Sequence, residues 1–197
     1  DQALRALFAT NVDGIVGRRE HLLRISNEFL DAVKLLEQPL RTEPIAIAMR
    51  RQDVGLRNLV NRTLQYLLDN GTLPDLHEEY FPGEPFPVDA MPVWDNIGDS
   101  APNPSQYAGP LSYPDVGTIQ RVRDRGELRV ATAIDPNTPG QELIINFHDS
   151  LLNNLAQRWG ITIQRVSGDP VEAIAAGQAD VAIGIEPDWN LVDRLDF

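Results

Sequence analysis

Between residues 82 and 114 the chain cannot hold a regular element. Eight of its fifteen prolines fall there, from Pro82 to Pro114. Proline lacks an amide hydrogen and clashes with the preceding turn, so a run this dense interrupts helices and stays out of central strands. The same stretch carries Glu84, Asp89, Asp95 and Asp99 with no Lys or Arg. It splits the sequence into two flanks and reads as a linker or an extended arm. Its aromatics, Phe86, Trp94, Tyr107 and Tyr113, favour an arm that packs on a surface.

Each flank has the punctuation of folded elements. Before the arm, Pro44-Ile-Ala-Ile-Ala-Met-Arg50 has the length and borders of a buried strand. Asp53 then offers an N-cap, and Leu56, Leu59, Val60, Leu64, Leu67 and Leu68 share one helical face ahead of a stop at Gly71. After the arm, Glu127 to Ile134 reads as a strand, Asp149 to Trp159 as a helix closed by Gly160, and Ile161 to Val166 as the next strand. Asp169-Pro170 is a cap followed by proline at the first helical position, Gly177 closes that helix, and Asp180 to Ile185 is a third strand. Strands alternating with helices predict a parallel α/β sheet.

Composition removes several classes of function. With 17 basic against 29 acidic residues the net charge is −12, so nucleic acid and anionic membrane surfaces are poor partners. The absence of cysteine excludes disulfides, thiolate nucleophiles and cysteine zinc sites. His21, His77 and His148 lack metal-binding spacing and read as surface or satisfied core histidines, and no cofactor fingerprint or nucleophile elbow is present. Glu78-Glu79 reads as a solvated helix end, and the bundle of Arg121, Arg123, Arg125 and Arg129 as a solvated amphipathic helix leading into the first strand. No apolar run approaches the ~20 residues of a membrane helix. Any export signal is expected to have been removed or never included.

Ala6-Leu-Phe-Ala-Thr-Asn-Val-Asp-Gly-Ile-Val-Gly17 aligns without a gap on Ala173-Ile-Ala-Ala-Gly-Gln-Ala-Asp-Val-Ala-Ile-Gly184. Both read as helix, tight turn, Asp and an apolar strand ending in Gly. The likeness reflects either convergence of the same local physics or two lobes built on one unit. In open parallel sheets ligands bind beyond the carboxyl ends of strands. Under the two-lobe reading, Arg18 and Arg19 face Glu186, Asp188 and Trp189 across a cleft, where the arginines could pair with the two carboxylates.

The stretch Ile119-Gln-Arg-Val-Arg-Asp-Arg-Gly-Glu-Leu-Arg-Val-Ala131 resembles the opening of the family 3 extracellular solute-binding proteins, which have the type II periplasmic-binding fold. Asn146-Phe-His-Asp-Ser-Leu-Leu152 resembles the first helix of that family. Ala175 to Gly184 and Val192-Asp-Arg-Leu-Asp-Phe197 resemble its third strand and the approach to its hinge. Val12 to Gly17 resembles the last strand of the second lobe, Glu43 to Arg50 the strand that returns to the first lobe, and Leu56 to Phe81 the closing helices. The order is inverted, as in a junction of tandem modules or a circular permutation. The resemblance implies an α/β, type II periplasmic-binding-protein-like fold: one largely complete three-layer lobe and a partial second lobe. Residues 1–40 would belong to the second lobe, 41–82 would complete the first, 83–114 would be the arm, and 115–197 the N-terminal part of the first lobe. A 33-residue arm easily spans the ~30 Å this needs. Segment 41–82 could equally complete a neighbour's lobe, giving a domain-swapped homodimer.

The family's amino-acid binders use an Arg after the third strand for the ligand carboxylate and an Asp after the second-lobe strand for its ammonium. Here those positions fall on Val192 or Asp193 and on Arg18, which argues against a standard α-amino acid. Glu186, Asp188 and Trp189 suit a cationic or polyhydroxyl ligand, and Asp135, Asn137 and Thr138 occupy the family's other ligand loop. The resemblance implies a non-enzymatic periplasmic or extracellular module that captures a small polar solute for a membrane permease or a sensor, without metal or cofactor. Two alternatives remain: a dehydratase-like enzyme of the cyclohexadienyl dehydratase type, with Glu186 or His148 as acid–base group, and a structural or interaction relic that has lost its ligand.

Overall fold

Two helices, α1 (Gln2–Phe8) and α2 (Arg19–Glu28), precede β1 (Ala46–Arg50), α3 (Val54–Asp69) and α4 (Thr72–Tyr80). The second flank supplies α5 (Thr118–Arg125), β2 (Glu127–Thr132), α6 (Glu142–Trp159), β3 (Thr162–Val166), α7 (Pro170–Ala175), β4 (Val181–Ile185), a 3-10 turn at Trp189–Leu191 and β5 (Leu195–Asp196). This computed structural model describes residues 2–36, 38–41, 44–86, 117–138 and 140–197. Phe86, at the start of the proline-rich segment, packs against the core. Trp94, Tyr107 and Tyr113, and with them the expected packing of the arm, lie outside the described residues.

The five strands form one sheet in the order β3-β2-β4-β1-β5. β2 runs parallel to β3 and β4, because α6 and α7 carry the chain back across the sheet between them. β1 comes from the far side of the proline-rich segment and inserts antiparallel between β4 and β5, with Ala48 opposite Ala182 and Met49 opposite Val181. The expected all-parallel sheet is therefore a mixed one. No single crossover helix links β1 to β4, so the rule that makes βαβ neighbours parallel does not bind it.

Alternation along the strands separates two cores. Met49, Leu128, Val130, Val181 and Ile183 join the face covered by α3, α5 and α6, where Leu56, Leu59, Ile119, Leu152 and Trp159 are all nearly inaccessible. Ala48, Ala131 and Ala182 point the other way, onto Ala173 and Ile174 of the short α7. Large side chains on one face and alanines on the other fit a thick helical layer and a close one. The result is a mixed α/β arrangement, a five-stranded mixed sheet flanked by helices, in which segment 46–80 shares sheet and core with segment 118–197.

Local signals account for several element ends. Asp53 Oδ1 accepts from Leu56 N at 3.3 Å, and Asp169 Oδ1 from Glu172 N at 2.8 Å, each capping the helix that follows. Gly71, read as the left-handed stop of α3, follows the C-cap Asn70 at φ +85° with its amide on the Leu68 carbonyl at 3.2 Å, and serves also as N-cap of α4. α6 begins at Glu142, seven residues before the expected start, because Leu143 to Phe147 continue the helix upstream. The expected strand at Val12 to Gly17 is absent: α1 ends at Phe8, and no described backbone pairs with residues 12–17. A strand exists only against a neighbour, so the internal echo is matched by a strand at β4 alone.

Candidate functional site

β4 ends in a bulge. Ile47 lies opposite Ile183 and Ala46 opposite Ile185, which leaves Gly184 as the extra residue, at φ +81°. A Cβ on Gly184 would stand 3.1 Å from Ile134 Cγ1 and 3.3 Å from His148 Cε1. Glycine thus lets the loop after β2 and the side of α6 close over the strand end. The bulge also breaks the alternation, so that Ala182 and Ile185 pack on the same face.

Beyond the bulge, Asp188 Oδ1 accepts from Asn190 N at 2.8 Å and starts the 3-10 turn that presents Trp189, which is 87% exposed. Glu186 is paired with Arg41 at 3.3 Å, with both side chains well exposed, so the pair holds weakly against solvent. From the parallel strand β2 the chain leaves at the same edge. There Asp135 Oδ1 accepts from Asn137 N at 2.9 Å and from Asn137 Nδ2 at 3.0 Å, and Thr138 N donates to the Asp135 carbonyl at 3.0 Å. Both predicted loops therefore stand at one sheet edge as pre-formed, exposed turns.

Arg18 is different. It is exposed and precedes α2 without a side-chain capping bond. The expected pairing of Arg18 and Arg19 with Glu186 and Asp188 is not made: Arg19 is taken by Glu84, at 2.5 and 2.7 Å, and Arg41 takes Glu186. Arg41 reaches this edge because β1 is antiparallel, so residues ahead of it lie beside the end of β4. α2 also borders the edge. The Glu142 carboxyl at the start of α6 is held below its ordinary range by the backbone amides of Glu142 and Gly140, and then by the charges of Arg24 and His21.

His148 is neither a surface nor a satisfied core histidine. It is 6% exposed, its Nδ1 has no hydrogen-bond partner among the described residues, and burial, with a smaller effect of the Arg165 charge, lowers its pKa to about 4. It is neutral at pH 7, and both it and Ile134 stand against Gly184. Arg125, read as solvated, is instead paired with the buried Asp180. Among the described residues no cluster of three His, Asp or Glu could hold a metal, and no helix is long and apolar enough to cross a membrane. Two cavities lie away from this edge. One of about 290 Å³ lies between α3 and α6, where Arg158 stacks 3.3 Å above the Tyr66 ring. The other, of about 210 Å³, lies at the amino edge of the sheet.

Set against known proteins, the chain matches no family model, no curated protein and no solved structure.

Proposed function

We propose that the chain is a solute-binding module of the family 3 extracellular type, working outside the cytoplasm with a permease or a sensor. The insertion of β1 into the sheet of residues 118–197 carries this reading, because the resemblance implies a first lobe assembled from two distant segments. The loops at 135–138 and 186–190 then form the first lobe's half of the ligand site, and a second lobe closes over the solute about a hinge. Glu186, Asp188 and the Trp189 face favour a polyamine or a polyol over an anion. Binding rather than turnover is supported by the burial of His148, which keeps its imidazole from serving as an acid–base partner to Glu186 at this edge.

The test is a thermal-shift panel of polyamines, sugars, amino acids and carboxylates, with product analysis of every hit. A binder at a hundred times its Kd stabilises by about 2.7 kcal/mol. The expected result is a saturable shift without product, lost in Trp189→Ala and Glu186→Gln. Silence across the panel, or product formation, defeats the reading.

A further inference from the structure

The amino edge of the sheet carries positive charge that no carboxylate among the described residues takes up. Its cavity, of about 210 Å³, is lined by Arg50 at the end of β1, Thr118 and Arg121 on α5, and Gly177, Ala179 and Asp180 ahead of β4. Asp180 is already committed, since its Oδ2 accepts from the Arg125 guanidinium and from Arg129 N, the latter at 2.9 Å. Neighbouring arginines have carboxylates as well: Arg51 pairs with Asp193 at 3.6 Å and Arg57 with Asp196 at 3.3 Å. Arg50 and Arg121 have no carboxylate partner among the described residues, in a chain of net charge −12.

The polar atoms around that pair are arranged to donate. Arg121 Nη2 donates to Thr118 Oγ1 at 2.7 Å, so the Thr118 hydroxyl is used as an acceptor and its own hydrogen is free to be given. Thr118 is only 5% exposed, and among the described residues that hydrogen has no acceptor. α5 begins there with Gly117 as N-cap, so the positive end of its dipole stands beside the cavity that Thr118 and Arg121 line. Gly177 forms a wall: a Cβ there would stand 3.1 Å from Arg50 Nη2, so the missing side chain gives the guanidinium its place.

We propose that this cavity binds a tetrahedral oxyanion of the phosphate class, as free phosphate or as a phosphomonoester. Two guanidinia from separate elements and a buried hydroxyl donor supply more donors than the two oxygens of a carboxylate can satisfy, beside the positive end of a helix. The site lies at the sheet edge opposite Glu186 and Trp189, and it stands or falls independently of the solute reading.

Inorganic phosphate, and in a parallel arm methyl phosphate, is titrated into the full chain at constant ionic strength, with chloride and acetate as controls, while backbone amide resonances are followed. Saturable shifts confined to Thr118 to Arg121 and Gly177 to Asp180 are expected, and the tighter of the two arms identifies free or esterified phosphate. Each lost charge-assisted hydrogen bond weakens binding roughly tenfold or more, so Arg50→Gln with Arg121→Gln should abolish saturation while Arg5→Gln leaves it intact. Wild-type resonances that do not saturate, a response equal to that of chloride, or binding retained in the double variant overturns the proposal.

Discussion

The indole Nε1 of Trp159 donates to the hydroxyl of Thr63 at 2.8 Å, across 96 residues of sequence and between elements on opposite sides of the proline-rich segment. The hydroxyl passes its own hydrogen to the Leu59 carbonyl at 2.8 Å, and both side chains are 1% exposed. Replacing Thr63 with Val keeps the shape but leaves the indole hydrogen buried without an acceptor, at a cost of about 1–3 kcal/mol. Urea unfolding of Thr63→Val should show a lower midpoint with an unchanged slope, in one transition. Two transitions in the wild-type protein would mean that α3 and α6 do not share a core.

Asp180 ties the end of α5 to the start of β4 through Arg125, and holds the Arg129 amide at 2.9 Å. Its side chain is 6% exposed. Asp180→Ala strands a largely buried guanidinium and should cost about 3 kcal/mol, while Asp180→Asn, which keeps an acceptor, should cost less. Equilibrium denaturation ranks the two.

His148 makes stability depend on pH in a definite direction. In the unfolded chain it titrates near 6.5, and in the folded protein near 4. Between those values the unfolded state binds the extra proton, so its contribution is complete above pH 6.5 and declines as the pH falls toward 4, by about 3 kcal/mol in all. His148→Leu should flatten this part of the pH profile relative to wild type. Parallel slopes for the two proteins would show that the imidazole is not held neutral.

Gly184→Ala tests the bulge. The substitution places a Cβ 3.1 Å from Ile134 Cγ1 at a φ of +81°, where L-residues are strained. A loss of about 1–3 kcal/mol is expected. Calorimetry should show it as a lower Tm, whereas Gly14→Ala, where nothing lies within 4 Å, should change little.

Signals contained within a few residues were legible in the sequence. Asp53 and Asp169 cap the helices they announced, the leucine face of α3 is the buried one, and Ala46–Arg50 is a strand. What depends on a distant partner was not. The direction of β1 is set by pairing with β4 across the proline-rich segment, and Val12 to Gly17 has strand letters but no neighbour. Gly184 read as a strand terminator because a bulge glycine and a terminal glycine look the same until the register is known. At the site, Glu186, Asp188 and Trp189 were read from the rule that loops after parallel strands gather at one edge, and Asp135, Asn137 and Thr138 from the family resemblance; the two loops do stand at one edge. Arg41 escaped that rule, because it arrives by an antiparallel strand.

Nuclear Overhauser contacts between β1 and β4 test most directly whether residues 46–50 complete the sheet of residues 118–197. In a labelled chain diluted with excess unlabelled chain, contacts between Ile47 and Ile183 and between Met49 and Val181 should persist undiminished. Their absence would remove β1 from the sheet, and their loss on dilution would assign the strand to a neighbouring molecule.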